Sequence, residues 1–421
     1  MGLSLGKITS SPWPDLPPEL VGLILSQLLC HTDRVSFAAV CHGWRLAARQ
    51  LGPSLPMAMP CVTFGRGAYQ SLADDDVKVR HIAAPRGYRA GATFGSWVLY
   101  EHKVSRRCFL HNPLSPSMPA IEVPCRYRWS TSRDCGDVVV GDCEPCMTGP
   151  IQLEKIVVCS SHLVVAAFHK VFNFGCFLPG TTVQSWEDVV HMSGDQHHHH
   201  GRSFIKDITF HRGKVFAITR TENLFAYDLV WETPLLHSRV QHVIKEHPVA
   251  ATFPPYYLHL VTSFDKEKLL MVRWSITPRL AIEVDHWAMI LQVFEADMEK
   301  KEWSEVKDLG GQVLFVGGSG SRALAAVDSP EDYNYNDQRI RGGNRVFLLG
   351  NDWARVWSAV SRCKCCDCQK LVNGMPNYCM YDMVSGRASL VSLKEHHNPM
   401  RYCRSEWFFP PGVKPRIFSD Y

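Results

Sequence analysis

The spacing of apolar positions changes period once along this chain. Between residues 14 and 51 it is helical: Leu20, Leu23, Ile24, Gln27 and Leu28 recur at i, i+3, i+4, i+7 and i+8, one apolar stripe with only Gln27 out of character. Pro17 and Pro18 suit the first turn of that helix, where a missing N–H costs nothing. Asp33 is placed to cap a second short helix carrying Val35, Phe37, Ala38, Val40 and Cys41, and Gly43 is expected to break it before Trp44 and Arg45 open a third. Three helices in about 40 residues bury too little apolar area to be self-sufficient, so another protein's helices are expected to cover part of the stripe.

From about residue 60 onward the period shortens. Apolar, β-branched and aromatic runs of four to eight residues alternate with Gly, Pro, Asn, Asp and Ser, which predicts an all-β region. The runs place strands at 96–101, 108–111, 155–159, 163–168, 204–210, 214–219, 224–228, 257–263, 269–274, 288–296, 312–316, 345–349, 377–381 and 388–392. A weak repeat organises them: an apolar strand ends on Asp or Asn, turns and starts again, as at Leu224 to Asp228, Val293 to Asp297, Cys379 to Asp382 and Cys108 to Asn112. Trp186-Glu187-Asp188-Val189 and Trp303-Ser304-Glu305-Val306 share a Trp-x-acid-Val pattern, and such turn-then-Trp hairpins resemble kelch-like propeller blades. Roughly 340 residues at about 40 to 50 per blade predict about seven blades, with six or eight also compatible. The boundaries read as 12–51 for the helices, 52–75 for a linker and 76–412 for the propeller.

Composition adds little to this picture. Of 421 residues, 46% are hydrophobic and 20% charged, an ordinary globular balance with room for two domains. Lys plus Arg at 45 against Asp plus Glu at 41 leaves a formal charge of +4 and no long basic run, so neither nucleic acid nor an anionic membrane is an expected partner. No apolar stretch approaches the roughly 18 residues that span a bilayer, and the N-terminus lacks a long apolar leader. The expected location is the cytoplasm or nucleus.

The segment Leu16-Pro17-Pro18-Glu19-Leu20, then Asp33, Val40-Cys41 and Trp44-Arg45, resembles an F-box. The resemblance implies docking to the Skp-type adaptor of a Skp-cullin-F-box ubiquitin ligase, with Leu16, Pro17, Leu20, Ile24, Leu28, Val40, Cys41 and Trp44 on the motif positions. Behind it stand a Gly-x-Trp strand leading to an Asn-Pro-Leu turn (Gly95 to Leu114), Lys206 to Ala217, Tyr257 to Val261 with Leu269 to Arg273, Phe294 to Trp303 with Leu309 to Gly317, and Glu406 to Pro410. In that order they resemble the KIB-type β-propeller of plant F-box proteins. Three inserts depart from the family: 125–146, the His run at 197–200, and 363–368. The fold expected is a small three-helix F-box followed by an all-β propeller. The resemblance implies an adaptor that brings a protein target to the ligase, without catalytic residues or a cofactor. A propeller scaffold acting without ubiquitin transfer is the alternative.

Catalysis and metal binding find no support. There is no Gly-x-Ser-x-Gly elbow, P-loop, HExxH or dinucleotide fingerprint, and Gly317 to Ser321 follows a strand with no helix behind it, so it reads as a blade turn. Sixteen cysteines include Cys143-x-x-Cys146 and the cluster Cys363, Cys365, Cys366 and Cys368. Four thiols packed into six residues chelate a tetrahedral ion awkwardly, and neither group shows paired knuckle spacing, so reduced surface thiols are expected. His197 to His200, flanked by Gly194 and Gly201, read as a low-complexity loop tip. Among the long connections, Tyr127, Trp129, Tyr333, Tyr335 and Arg341 are the side-chain types that most often anchor interfaces, and they are the target-binding candidates.

Overall fold

The computed structural model describes residues 16–52, 55, 57–64, 67–73, 79–114, 118–123, 126–129, 147–150, 153–160, 163–168, 174–177, 190–192, 205–232, 235–245, 257–281, 284–326, 343–349, 378–391 and 405–410. The chain divides into two compact units. One comprises Met1–Cys61, Ser71–Asp76 and Phe409–Tyr421, the other Val62–Gln70 and Val77–Phe408.

The first unit holds three helices, α1 (Pro18–Gln27), α2 (His31–Val40) and α3 (His42–Leu51). Pro17 caps α1 in an extended conformation, its carbonyl accepting from Leu20 N and Val21 N, with Pro18 at the first helical position as expected. Val21, Leu25, Phe37, Ala47 and Ala48 form the core, and the Phe37 and Trp44 rings stack with centroids 4.3 Å apart. Two boundary expectations are corrected. The N-cap of α2 is Cys30, and Asp33 lies in the first turn, where its charge still favours the positive helix end. Gly43 does not break a helix but sits inside α3. The break is Cys41, extended at φ −152° and ψ 174°, whose Sγ accepts from Trp44 N at 3.4 Å and so caps α3. Buried Arg34 closes the α1–α2 corner by donating from Nε to Leu28 O at 2.6 Å, and burial lowers its pKa.

All remaining elements among the described residues are strands. β1 (Cys61–Thr63), β2 (Ala68–Ser71) and β3 (Arg80–His81) begin the series. β4 (Tyr88–Phe94), β5 (Trp97–His102), β6 (Cys108–His111) and β7 (Ile121–Val123) form one antiparallel blade, and β8 (Arg126–Trp129) pairs with β9 (Met147–Pro150). The next blade holds β10 (Leu153–Ser160), β11 (Leu163–Phe168), β12 (Phe174–Phe177) and β13 (Val190–Met192). Then come β14 (Ile205–His211), β15 (Lys214–Thr219), β16 (Leu224–Glu232) and β17 (Leu235–Ile244), followed by β18 (Tyr257–Thr262), β19 (Leu269–Ala281), β20 (Val284–Asp297) and β21 (Glu302–Val306). A five-stranded sheet contains β22 (Gln312–Gly317), β23 (Arg322–Ala325), β24 (Arg345–Leu349), β25 (Tyr378–Asp382) and β26 (Arg387–Val391). β27 (Glu406–Phe408) returns to the start, giving the order β27-β1-β2-β3. All fourteen strands read from the sequence are present, with ends shifted by up to four residues except β19, which runs seven residues past the expected 274.

The architecture is a propeller, with a correction to the count. The described residues show five four-stranded blades, not about seven, and a five-stranded sheet with a parallel β22–β24 pairing stands beside them. Strands β19 and β20 take 13 and 14 residues where a typical strand takes about five to six, so length divided by a standard repeat overcounts blades. Much of the remaining length lies in 130–146, 193–204, 327–342, 350–377 and 392–404, outside the described residues. β1 and β2 also fall within 52–75, the segment read as a linker.

The repeat seen in the sequence has a physical basis at three of its turns, and at the first Asn112 Oδ1 accepts from Leu114 N at 3.1 Å. The Asp297 carboxylate accepts from Glu299 N and Lys300 N, and Asp382 accepts from Val384 N and Ser385 N, so each acid fixes the turn that returns the chain. Asp228 does not act this way; β16 runs through it, and it pairs with Lys214.

Buried carboxylates on the innermost strands tie neighbouring blades. Glu406 on β27 accepts through Oε2 from Thr93 N on β4 at 2.5 Å, while its carbonyl accepts from Thr63 Oγ1 on β1 at 3.1 Å. Next to it, the Trp407 indole donates to Val316 O on β22 at 2.9 Å and meets the edge of Phe315. Asp207 on β14 accepts from Lys155 Nζ on β10 at 2.7 Å and from Leu260 N on β18 at 2.7 Å. His259, beside Leu260, is buried and its pKa is lowered to about 4, chiefly by burial, with Asp207 opposing and Lys155 adding to the shift.

Two outcomes follow from these contacts. Trp407→Ala should lower the unfolding free energy by about 3–5 kcal/mol in denaturant titration, the usual loss for a large aromatic truncated in a packed core; a loss under about 1 kcal/mol would contradict the closing role given to Trp407. Since His259 stays neutral in the fold but takes up a proton near pH 6.5 when unfolded, its contribution is intact above that pH and is lost as pH falls toward 4. His259→Phe should therefore flatten the stability profile between pH 6.5 and 4 by roughly 3 kcal/mol, and an unchanged slope would refute the assignment.

Candidate docking surfaces

A helix stripe wider than the core it serves leaves apolar side chains in water. Among the described residues eleven large hydrophobic side chains are exposed, and five of them belong to the three short helices: Leu20 at 47%, Leu23 at 60%, Val35 at 55%, Val40 at 61% and Leu46 at 47%. Of the positions taken from the F-box pattern, Pro17, Leu20 and Val40 are exposed. Leu16, Ile24, Leu28 and Trp44 are half-buried and pack against the unit's own core. Cys41 is half-buried and caps α3. The pattern left out Leu23, Val35 and Leu46. Leu23 was legible as a member of the stripe; which side of the stripe turns inward was not.

The propeller candidates fare differently. Tyr127 and Trp129 lie on β8, opposite Gly149 and Met147 of β9 in the backbone register. Tyr333, Tyr335, Arg341, the cysteine cluster at 363–368, Cys143, Cys146 and the His run at 197–200 lie outside the described residues. Among the described residues no three His, Cys, Asp or Glu side chains are grouped to hold a metal ion, and no helix is long and apolar enough to cross a membrane. Gly317 to Ser321 forms a turn between β22 and β23, with Gly320 N donating to Gly317 O.

A cleft that the sequence did not announce opens between the β14–β17 and β18–β21 blades. Its volume is about 680 Å³. Phe216, Ala226 and Val243 from one blade and Leu269 and Ala296 from the other supply its apolar lining. His211, Arg212 and Lys214 stand on the first side, and Glu295, Asp297 and Glu299 on the second. The two blades are locked deeper in the same interface. Glu222, held at φ +64°, accepts from Arg273 at 2.8 and 3.1 Å, and its carbonyl accepts from Trp303 Nε1 at 2.9 Å. Arg273 also donates to Gln292 Oε1 at 2.7 Å and lies over the Phe294 ring. The pair is almost fully buried, so the network fixes the spacing of the two blades rather than meeting solvent.

Known structures resemble the chain only faintly. The N-terminal domain of Nup159 aligns at 8% identity and a TM-score of 0.28, over 63% of this chain and 58% of that one. YCF48 from Cyanidioschyzon merolae aligns at 9% identity and 0.29, over 57% and 66%. The WD40 domain of SCAP from fission yeast aligns at 10% and 0.29, over 86% and 98%. The chain thus spans less than two thirds of the first two. No curated protein matches it. Family profiles are more specific: residues 13–51 match the F-box-like domain, and residues 69–381 match the KIB1-4 beta-propeller. With three helices over the first match and blades over the second, this chain belongs to the KIB1-4 beta-propeller family and carries an F-box-like domain at its N-terminal end.

Proposed function

We propose that the chain is the substrate-recognition subunit of a Skp-cullin-F-box ubiquitin ligase, its helices docking the Skp-type adaptor and its propeller holding a protein target. The F-box-like domain implies the adaptor, and the pairing of that domain with a propeller suggests an F-box substrate-recognition protein. The observation that carries the reading is the exposure of Leu20, Leu23, Val35, Val40 and Leu46 on a unit whose own core is five buried side chains. So much exposed aliphatic surface on so small a unit supports the reading that a partner covers it. The chain's own contribution would be placement rather than chemistry: a rigid receptor fixes a target's lysines where a ligase can reach them. Such a subunit works in the cytoplasm or nucleus.

Leu23→Asp with Val40→Asp tests the reading without touching the core. The full chain should lose at least a hundredfold in affinity for a purified Skp-type adaptor, and with it co-purification of the cullin, while helical circular dichroism and thermal stability stay as they were. Undiminished capture of the adaptor by this variant would sink the proposal.

A further inference from the structure

We infer that the cleft between the β14–β17 and β18–β21 blades binds an extended peptide segment of a protein target, one that seats an apolar side chain on the cleft floor between an acidic and a basic residue. The inference rests on the propeller being the target-binding unit. Facing blades normally interdigitate until no void remains, because an empty wedge forfeits dispersion contacts. Here Phe216, Ala226, Val243, Leu269 and Ala296 pack into one buried cluster, and above that floor the space between the two blades is open. A volume of about 680 Å³ falls in the range of roughly 300–1,000 Å³ found for ligand sites.

The rim is polar in the literal sense, positive on one side and, apart from Lys268, negative on the other. Arg212 and Lys214 sit in and beside the two-residue turn that joins β14 to β15, where Arg212 at φ +46° and Gly213 at φ +80° fix a tight hairpin. Asp297 and Glu299 sit at the β20–β21 turn, which the Asp297 carboxylate holds through two backbone N–H groups. Existing pairs do not block the rim. Arg212 with Glu267, Lys214 with Asp228, Lys268 with Glu295 and Asp297 with Lys300 are surface pairs of little net worth, so an incoming charge exchanges with them at small cost. Glu299 makes no ion pair among the described residues. An extended chain presents successive side chains to alternate sides, which matches a floor flanked by walls of opposite sign.

His211 adds a second feature of a site rather than a packing defect. It is 4% exposed, lines the cleft, and its Nδ1 makes no hydrogen bond among the described residues. Burial, and then the charge of Arg212, hold its pKa down, so the ring is neutral and offers one donor and one acceptor nitrogen. An unsatisfied buried nitrogen costs about 1–3 kcal/mol.

The test is selection of a random heptapeptide library displayed on phage against the immobilised full chain, with Glu299→Lys and Arg212→Glu selected in parallel. Both substituted side chains are exposed, so the fold should survive, and unchanged thermal melts would establish that. Wild-type selection should enrich peptides with an aliphatic or aromatic residue flanked by one acidic and one basic residue. Glu299→Lys should cut enrichment of the basic flank at least tenfold and leave the acidic flank, and Arg212→Glu should do the converse. Absence of enrichment over a blank surface, or identical enriched sets in all three proteins, would overturn the inference. Adaptor capture measured on the same samples separates the two readings. Peptide selection with no adaptor binding keeps the cleft and removes the ligase role, whereas adaptor binding with no peptide selection removes the cleft alone.

Discussion

The carboxylate of Glu406 closes the propeller. Its Oε2 accepts the buried amide of Thr93 and lies 3.3 Å from the Thr93 hydroxyl, and that hydroxyl also contacts Thr63 Oγ1 at 3.0 Å. A strand of three residues offers too short a ladder to hold its register by main-chain bonds alone. Its side chains supply the remaining anchors, since Glu406 reaches β4, Trp407 reaches β22, and Phe408 tilts against Tyr69 of β2. Asp207 uses the same device elsewhere, joining β10, β14 and β18 through one carboxylate that also accepts from Ile208 N. The Asp207 carboxylate, accepting at both oxygens, costs little once made, but each partner left alone would cost about 1–3 kcal/mol or more for a charged group. These contacts therefore select one arrangement of blades sharply, whatever they add to net stability.

How much of this was legible depended on the range of the interaction. Local signals served well. The i, i+3, i+4 stripe found α1, the Pro17-Pro18 pair found its start, and the hairpin repeat found turns that Asp297 and Asp382 hold through bonds two and three residues away. Caps were harder, because a thiol is a weaker acceptor than a carboxylate and Cys41 gave way to Asp33 and Gly43 as the expected boundary residues. Short strands such as β1, β2 and β27 carry too few residues for alternation to be counted. Propeller closure places Glu406 to Pro410 against strands near residues 60–100, and β27 does pair beside β1, but no local rule names Thr93, 313 residues away, as the partner of Glu406. The cleft was invisible for the same reason: Ala226 and Ala296 are unremarked strand residues until the fold brings them into one cluster.

The two units differ in the kind of surface they leave to solvent, and the difference follows from size. Three ten-residue helices have one side's worth of core and expose aliphatic side chains of the same stripe. Among the described residues the propeller buries most of its large apolar groups, and its cleft is edged with charge. An aliphatic face suits the helices of a constant partner, and a charged cleft with a narrow apolar floor suits discrimination among segments of chain. That contrast fits a protein whose two ends meet different kinds of partner.

Native-state hydrogen exchange tests the closure most directly, through the amides of Thr93 and Leu260, which donate to Glu406 and Asp207. If the blades form one closed cooperative unit, both amides should exchange only through global unfolding, with the same free energy and the same steep dependence on denaturant. Exchange of Thr93 at a free energy several kcal/mol lower, with little denaturant dependence, would mean that β27 detaches by itself and that the propeller does not depend on it.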